Sequence, residues 1–132
     1  MKTIILAVFV SILISCSLAG QANAIDGMLT GAVVTIHYTE PIDNEDGSVT
    51  NDLSHCELFY DAGAGTIKAK DIPASSLAGG MVMTTSYEVQ IAAGQEADVR
   101  FWLTAVDTSD NVSRPSETFI IRIDRLATNA PR

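Results

Sequence analysis

Residues 31–63 read GAVVTIHYTEPIDNEDGSVTNDLSHCELFYDAG. Two runs in this stretch alternate apolar and polar residues with a period of two. In VVTIHY, Val34, Ile36 and Tyr38 share one face, and Thr35 and His37 the other. In HCELFY, Cys56, Leu58 and Tyr60 fall together, while Glu57 and Phe59 point the opposite way. That period marks a strand with one side packed and one side wet. Between the runs lies an acidic loop that starts at Pro41 and closes on Asp46-Gly47, residue types suited to tight turns.

The same pattern recurs downstream. SYEVQI aligns Tyr87, Val89 and Ile91; VRFWLTAV aligns Val99, Phe101, Leu103 and Ala105; TFIIRI aligns Phe119, Ile121 and Ile123. TIKAKDI, at 66–72, reads as a mixed, partly polar strand. Pro, Gly, Asn and Asp clusters separate these runs, and no amphipathic helix interrupts them. Short alternating strands spaced by turn residues predict an antiparallel all-β sandwich, with one face of each sheet solvated. A chain of 132 residues is enough for one such domain.

The first residues stand apart from this pattern. MKTIILAVFVSILISCSLAGQANA has a basic start at Lys2, an apolar run over 4–14 and a small, polar end, which is the composition of an export leader. The run is shorter than the roughly 20 residues a membrane span requires. Two processing sites compete. Ala22-Asn23-Ala24 fits an A-x-A cleavage site and predicts a leader of 1–24. Leu13-Ile14-Ser15-Cys16 fits a bacterial lipobox and predicts a leader of 1–15 with Cys16 as the lipidation residue. The protein is therefore expected to be exported, either as an outer-membrane lipoprotein or as a periplasmic or secreted domain. Its only route to a membrane is a lipid anchor. The domain is expected over 25–125, followed by a loose tail at 126–132.

All sixteen Asp and Glu residues lie beyond the leader, against eight Lys and Arg in the whole chain, for a formal net charge of −8. Nucleic-acid binding needs a basic face, and this balance excludes it. Cys56 and Cys16 are the only cysteines, so an internal disulfide is not expected. Cys56 falls on an inward position and reads as a small buried hydrophobe.

In their order and spacing these segments resemble a bacterial fibronectin type III domain, over roughly 31–123. VTIHYTEPIDNEDG resembles the family's second strand and the loop after it, with Tyr38 where a core Trp is usual. DLSHCELFYDAG resembles the third strand, TSYEVQIAAG the strand leading into the corner, and FWLTAVDTSDNVSRPSE the sixth strand and its loop. Val99 stands where the family has its corner Tyr, and Ala93 where Pro is common. Only residues 25–30 precede the second strand if cleavage follows Ala24. The resemblance thus implies an antiparallel seven-strand immunoglobulin-like sandwich with a short or missing first strand. It implies a module that binds or spaces something, and no catalysis.

A nucleophile needs a base and an orienting group within reach. The two histidines, His37 and His55, fall on strands expected in different sheets, and DAGAG lacks the lysine and helix of a phosphate loop. No catalytic residue and no cofactor are expected. The acidic loop and DTSDN are expected at one pole, so Asp43, Glu45, Asp46, Asp107 and Asp110 offer oxygen ligands for Ca²⁺ as a weak alternative. The spacing does not fit an EF-hand, because counting back from Gly47 puts its first ligand on Ile42. Solvated turns are the competing reading. Asn111-Val112-Ser113 matches a glycosylation sequon and is read as coincidence in an exported bacterial chain.

The sharper candidate is a sheet face. In the resembled fold the third, sixth and seventh strands are neighbours, and Phe59, Trp102 and Ile120 share their outer side with Arg100 and Arg122. An exposed aromatic patch flanked by arginines has the chemistry of a contact site. The expected function is a non-catalytic interaction, adhesion or assembly module at the bacterial cell envelope, with a surface protein or glycan as partner. One alternative is a carbohydrate-binding module that uses Phe59 and Trp102. Another is a subunit of a surface assembly, or a phage-encoded envelope protein, that pairs through an open strand edge.

Overall fold

The computed structural model describes residues 12–14, 23–30, 32–127 and 131, the first two segments as paired strands only. Much of the expected leader, Cys16 and part of the C-terminal tail lie outside the described residues. The strands are β1 (Ile12–Ile14), β2 (Asn23–Thr30), β3 (Val33–Thr39), β4 (Leu53–Asp61), β5 (Thr66–Pro73), β6 (Val82–Glu88), β7 (Glu96–Asp107) and β8 (Phe119–Asp124). They form two four-stranded sheets, in the orders β1-β2-β3-β6 and β5-β4-β7-β8, with every pairing antiparallel. The described residues are all-β, and no helix among them is long and apolar enough to cross a membrane.

The inner faces are the ones the alternation assigns. Val34, Ile36 and Tyr38 of β3 face Cys56, Leu58 and Tyr60 of β4, with Val99, Phe101, Leu103 and Ala105 of β7 and Phe119, Ile121 and Ile123 of β8 filling the layer. Burying each large apolar side chain stabilises the fold by about 1.5–3 kcal/mol before entropy is counted. An aromatic chain crosses the sandwich. Tyr87 of one sheet meets Tyr60 of the other with ring centroids 5.4 Å apart; Tyr60 meets Phe101 at 5.9 Å, and Phe101 stacks on Phe119 at 5.3 Å. Burial raises the Tyr60 phenol above its ordinary pKa, and the neighbouring Tyr87 hydroxyl adds to the effect.

One expectation is corrected. The strand before β3 is not missing, and residues 25–30 of it pair with β3. β2 runs for eight residues, Asn23–Thr30. Its full length was hidden because it begins inside the segment assigned to the leader. Its pairing with β3 starts at Ile25↔Tyr38 and ends at Thr30↔Val33, while Asn23 and Ala24 pair only with β1.

Two connections are held by side chains. β3 leads to β4, and β5 leads to β6, by crossing between the sheets at one end. Glu40, 1% exposed, lies at that crossing and ties the two connections together. Its carboxylate accepts from the Ser75 backbone N–H at 2.7 Å, the Ser75 hydroxyl at 2.5 Å and the Met81 N–H at 3.2 Å. In the β7–β8 connection, Ser113 and Ser116 extend the pairing along β7. Their N–H groups donate to the carbonyls of Ala105 and Leu103, both at 2.8 Å. Their hydroxyls accept from the N–H groups of the same two residues at 2.8 and 2.9 Å. Hydroxyl oxygens thus supply acceptors to β7 on either side of Pro115, which has no N–H to contribute.

Candidate binding face

The outer face of the β5-β4-β7-β8 sheet carries the residues singled out in the sequence. Phe59 of β4 and Trp102 of β7 are direct register partners. Their rings lie 6.0 Å apart between centroids and only 12° from parallel. Both are half-buried. A cross-strand aromatic pair is a recognised source of sheet stability, so some of its role is structural. Arg100 stands two residues before Trp102, opposite Asp61 on β4 and Ile120 on β8. Ile120 is 52% exposed. Phe59, Trp102, Arg100 and Ile120 therefore share one continuous face across three strands.

Arg122 lies on the same face but is committed elsewhere. Its guanidinium pairs with Glu96 at 2.6 Å and Asp98 at 3.0 Å on the adjacent β7. Asp98 is the main cause of its raised pKa, with Glu96 adding to it. Among the described residues Arg100 makes no ion pair, so it is the arginine of this face with its donors available.

At the other side of Phe59 the face turns polar. Lys68 of β5 is the register partner of Phe59, and Asp71 is the partner of Glu57. The two β4 residues are two apart, whereas the two β5 residues are three apart. A β-bulge in the pairing absorbs the extra residue and places Lys68 and Asp71 on the same side. Lys68 bridges Glu57 and Asp71, the latter at 2.6 Å. The carboxylates of Asp71 first and Glu57 second hold its ammonium charged above the ordinary lysine range. His55 completes the group, with Nε2 3.9 Å from Asp71 Oδ1 and Nδ1 3.0 Å from the Ser54 hydroxyl. Sequence spacing concealed this cluster, because strict alternation puts residues three apart on opposite faces. His37 is on the other sheet, beside Thr84 Oγ1 at 3.0 Å.

The acidic loops are built differently from a cation cage. Asp46 accepts from the Ser48 N–H at 2.9 Å and the Ser48 hydroxyl at 2.6 Å. Asp107 accepts from the N–H groups of Ser109 and Asn111 at 2.8 and 2.9 Å and from the Asn111 side-chain amide at 2.8 Å. These bonds lower both carboxyl pKa values; the Ser48 hydroxyl is the main cause at Asp46 and the Asn111 amide at Asp107. Glu45 reaches Arg114, accepting from its N–H at 3.1 Å. Asp43, Glu45, Asp46, Asp107 and Asp110 are thus not drawn together into a ligand set. Among the described residues, the one such group with converging ligand atoms is His55, Glu57 and Asp71. The loops resolve as side-chain-capped turns, with Asp110 in the left-handed region at φ 63°.

No family model, no curated protein and no solved structure matches this chain.

Proposed function

We propose that the protein is an exported, non-catalytic binding module of the bacterial cell envelope, built as a fibronectin type III-like sandwich. It meets a protein partner through the outer face of the β5-β4-β7-β8 sheet. The observation that carries this reading is the in-register, near-parallel Phe59–Trp102 pair, bordered by the exposed Ile120 and by Arg100 with its donors available. Aromatic and arginine side chains grouped on a rigid sheet are the usual anchors of an interface. The two antiparallel sheets, β1-β2-β3-β6 and β5-β4-β7-β8, are consistent with a β-sandwich of this general kind. Export is compatible with the β2–β3 ladder, which starts at Ile25: cleavage after Ala24 would leave every β2–β3 pair in place and would remove β1 with its pairs to β2.

Near-parallel rings also suit stacking on sugar, which keeps a glycan as the second reading. Trp102 is the chain's only tryptophan, so its fluorescence reports on this face alone. The test places a photo-crosslinking residue at Ile120, or at Thr84 on the opposite sheet, in producing cells. Adducts specific to Ile120 and lost in Trp102→Ala, with the domain still folded, support a protein-binding face. Equal labelling from both sheets, or adducts indifferent to Trp102→Ala, overturns it. Trp102 fluorescence that responds to envelope polysaccharide, without protein adducts, selects the glycan.

A further inference from the structure

We propose that His55, Glu57 and Asp71 form a binding site for a borderline divalent transition-metal ion, zinc foremost, with the Lys68 ammonium as its built-in competitor. One ligand atom from each of the three lies within 4.8 Å of the others. Ligands around tetrahedral zinc sit roughly 3.3 Å apart at ordinary bond lengths, so side-chain rotations alone would close the set.

The surroundings orient the donors. The Ser54 hydroxyl engages Nδ1 of His55 and leaves Nε2 turned toward Asp71. Thr104 donates to Oε1 of Glu57 at 3.3 Å, leaving Oε2 on the side of the cluster. Partners of this kind fix ring orientation and carboxylate rotamer around metal ions. Each ligand stands on a strand: His55 and Glu57 alternate on β4, and Asp71 faces Glu57 from β5. The bulge matters here, because it brings Asp71 and Lys68 to the same side together.

Lys68 marks where a cation is stabilised, between the two carboxylates. It is also replaceable. Its side chain is 43% exposed, and exposed ion pairs contribute little to stability, so the ammonium can move into water at small cost. Imidazole with carboxylate oxygens favours zinc, nickel or copper over calcium and magnesium, which prefer all-oxygen shells. Three protein ligands leave a further position to water. The site would stand whether or not Phe59 and Trp102 contact a partner.

The test is calorimetry on the exported protein after chelator treatment, with ZnCl₂ and CaCl₂ as probes, together with nitrogen NMR of the imidazoles. The expected result is one Zn²⁺ per chain, a shift at Nε2 of His55 with His37 unchanged, and no comparable Ca²⁺ heat. His55→Ala should abolish binding, and Lys68→Met should tighten it several-fold, both with unchanged circular dichroism. Absence of a His55 shift in both the natural protein and Lys68→Met overturns the site. So does zinc binding that survives His55→Ala, or Ca²⁺ binding as tight as Zn²⁺.

Discussion

The Glu40 carboxylate binds both the backbone N–H and the hydroxyl of Ser75, 35 residues further along the chain. With the Met81 N–H it closes a junction between the two inter-sheet crossings. Removing one partner of a buried hydrogen bond leaves the other unsatisfied, which costs about 1–3 kcal/mol. Glu40→Gln replaces one acceptor oxygen with an amide NH2, which can only donate, and should destabilise by that amount in urea unfolding. Glu40→Ala, which also opens a void, should cost more. Hydrogen exchange at Ser75 and Met81 should accelerate in both variants. Unchanged exchange at these amides would show that the junction does not hold the connection.

Gly79 crosses the same junction at φ 62°, and a Cβ there would lie 2.2 Å from the Pro41 carbonyl oxygen and 3.0 Å from Leu53 Cδ2. Gly47, in the acidic loop, also has positive φ, at 86°, but has open space around it. The pair separates backbone strain from collision. Gly47→Ala should cost roughly 1 kcal/mol from the left-handed conformation alone. Gly79→Ala should cost distinctly more, because the Pro41 backbone must also shift. Equal losses in thermal or urea unfolding would mean that the junction is looser than its geometry.

Much of this architecture was legible from period two. Val34, Ile36 and Tyr38 on β3, and Phe119, Ile121 and Ile123 on β8, are buried where alternation puts them. Glu40 continues the β3 inward phase, and that phase was the available signal for it. A carboxylate with no visible partner gives no sign that donors 35 and 41 residues away will meet it. The grouping of Phe59, Trp102 and Ile120 followed from strand adjacency in the resembled fold. The commitment of Arg122 did not, because ion pairs to Glu96 and Asp98 depend on the β7–β8 register. The bulge beside Phe59 obscured the His55 cluster by breaking alternation within β5. The full length of β2 was obscured for another reason, since its first two residues, Asn23 and Ala24, belong to the A-x-A motif.

The Phe59–Trp102 pair should couple energetically within the fold. A double-mutant cycle with Phe59→Ala and Trp102→Ala is expected to give a coupling of about 0.5–1 kcal/mol, the range for a cross-strand aromatic pair. Each single change should shift the urea midpoint moderately, because both rings are only half-buried. If the rings serve only the fold, partner binding by the folded variants will persist. A coupling near zero would show that the two rings contribute to the fold independently of each other.

Acid should weaken the two capped turns. The carboxyls of Asp46 and Asp107 sit below the ordinary aspartate value of 3.8 in the folded protein, so the folded state binds their protons less readily than the unfolded chain. Their contribution is then fully present above the unfolded value and declines as pH falls through the lowered folded values. Stability from these groups should be level above about pH 5 and should fall below about pH 4. Lys68 and Arg122 act in the opposite sense, since their raised values confine any loss to strongly alkaline solution. Asp46→Asn with Asp107→Asn should therefore flatten the urea-midpoint profile between pH 5 and acid, while leaving its alkaline side unchanged. An identical acid slope in the double variant would assign acid sensitivity to other carboxylates, and the Ser48 and Asn111 bonds would then hold no more tightly than water does.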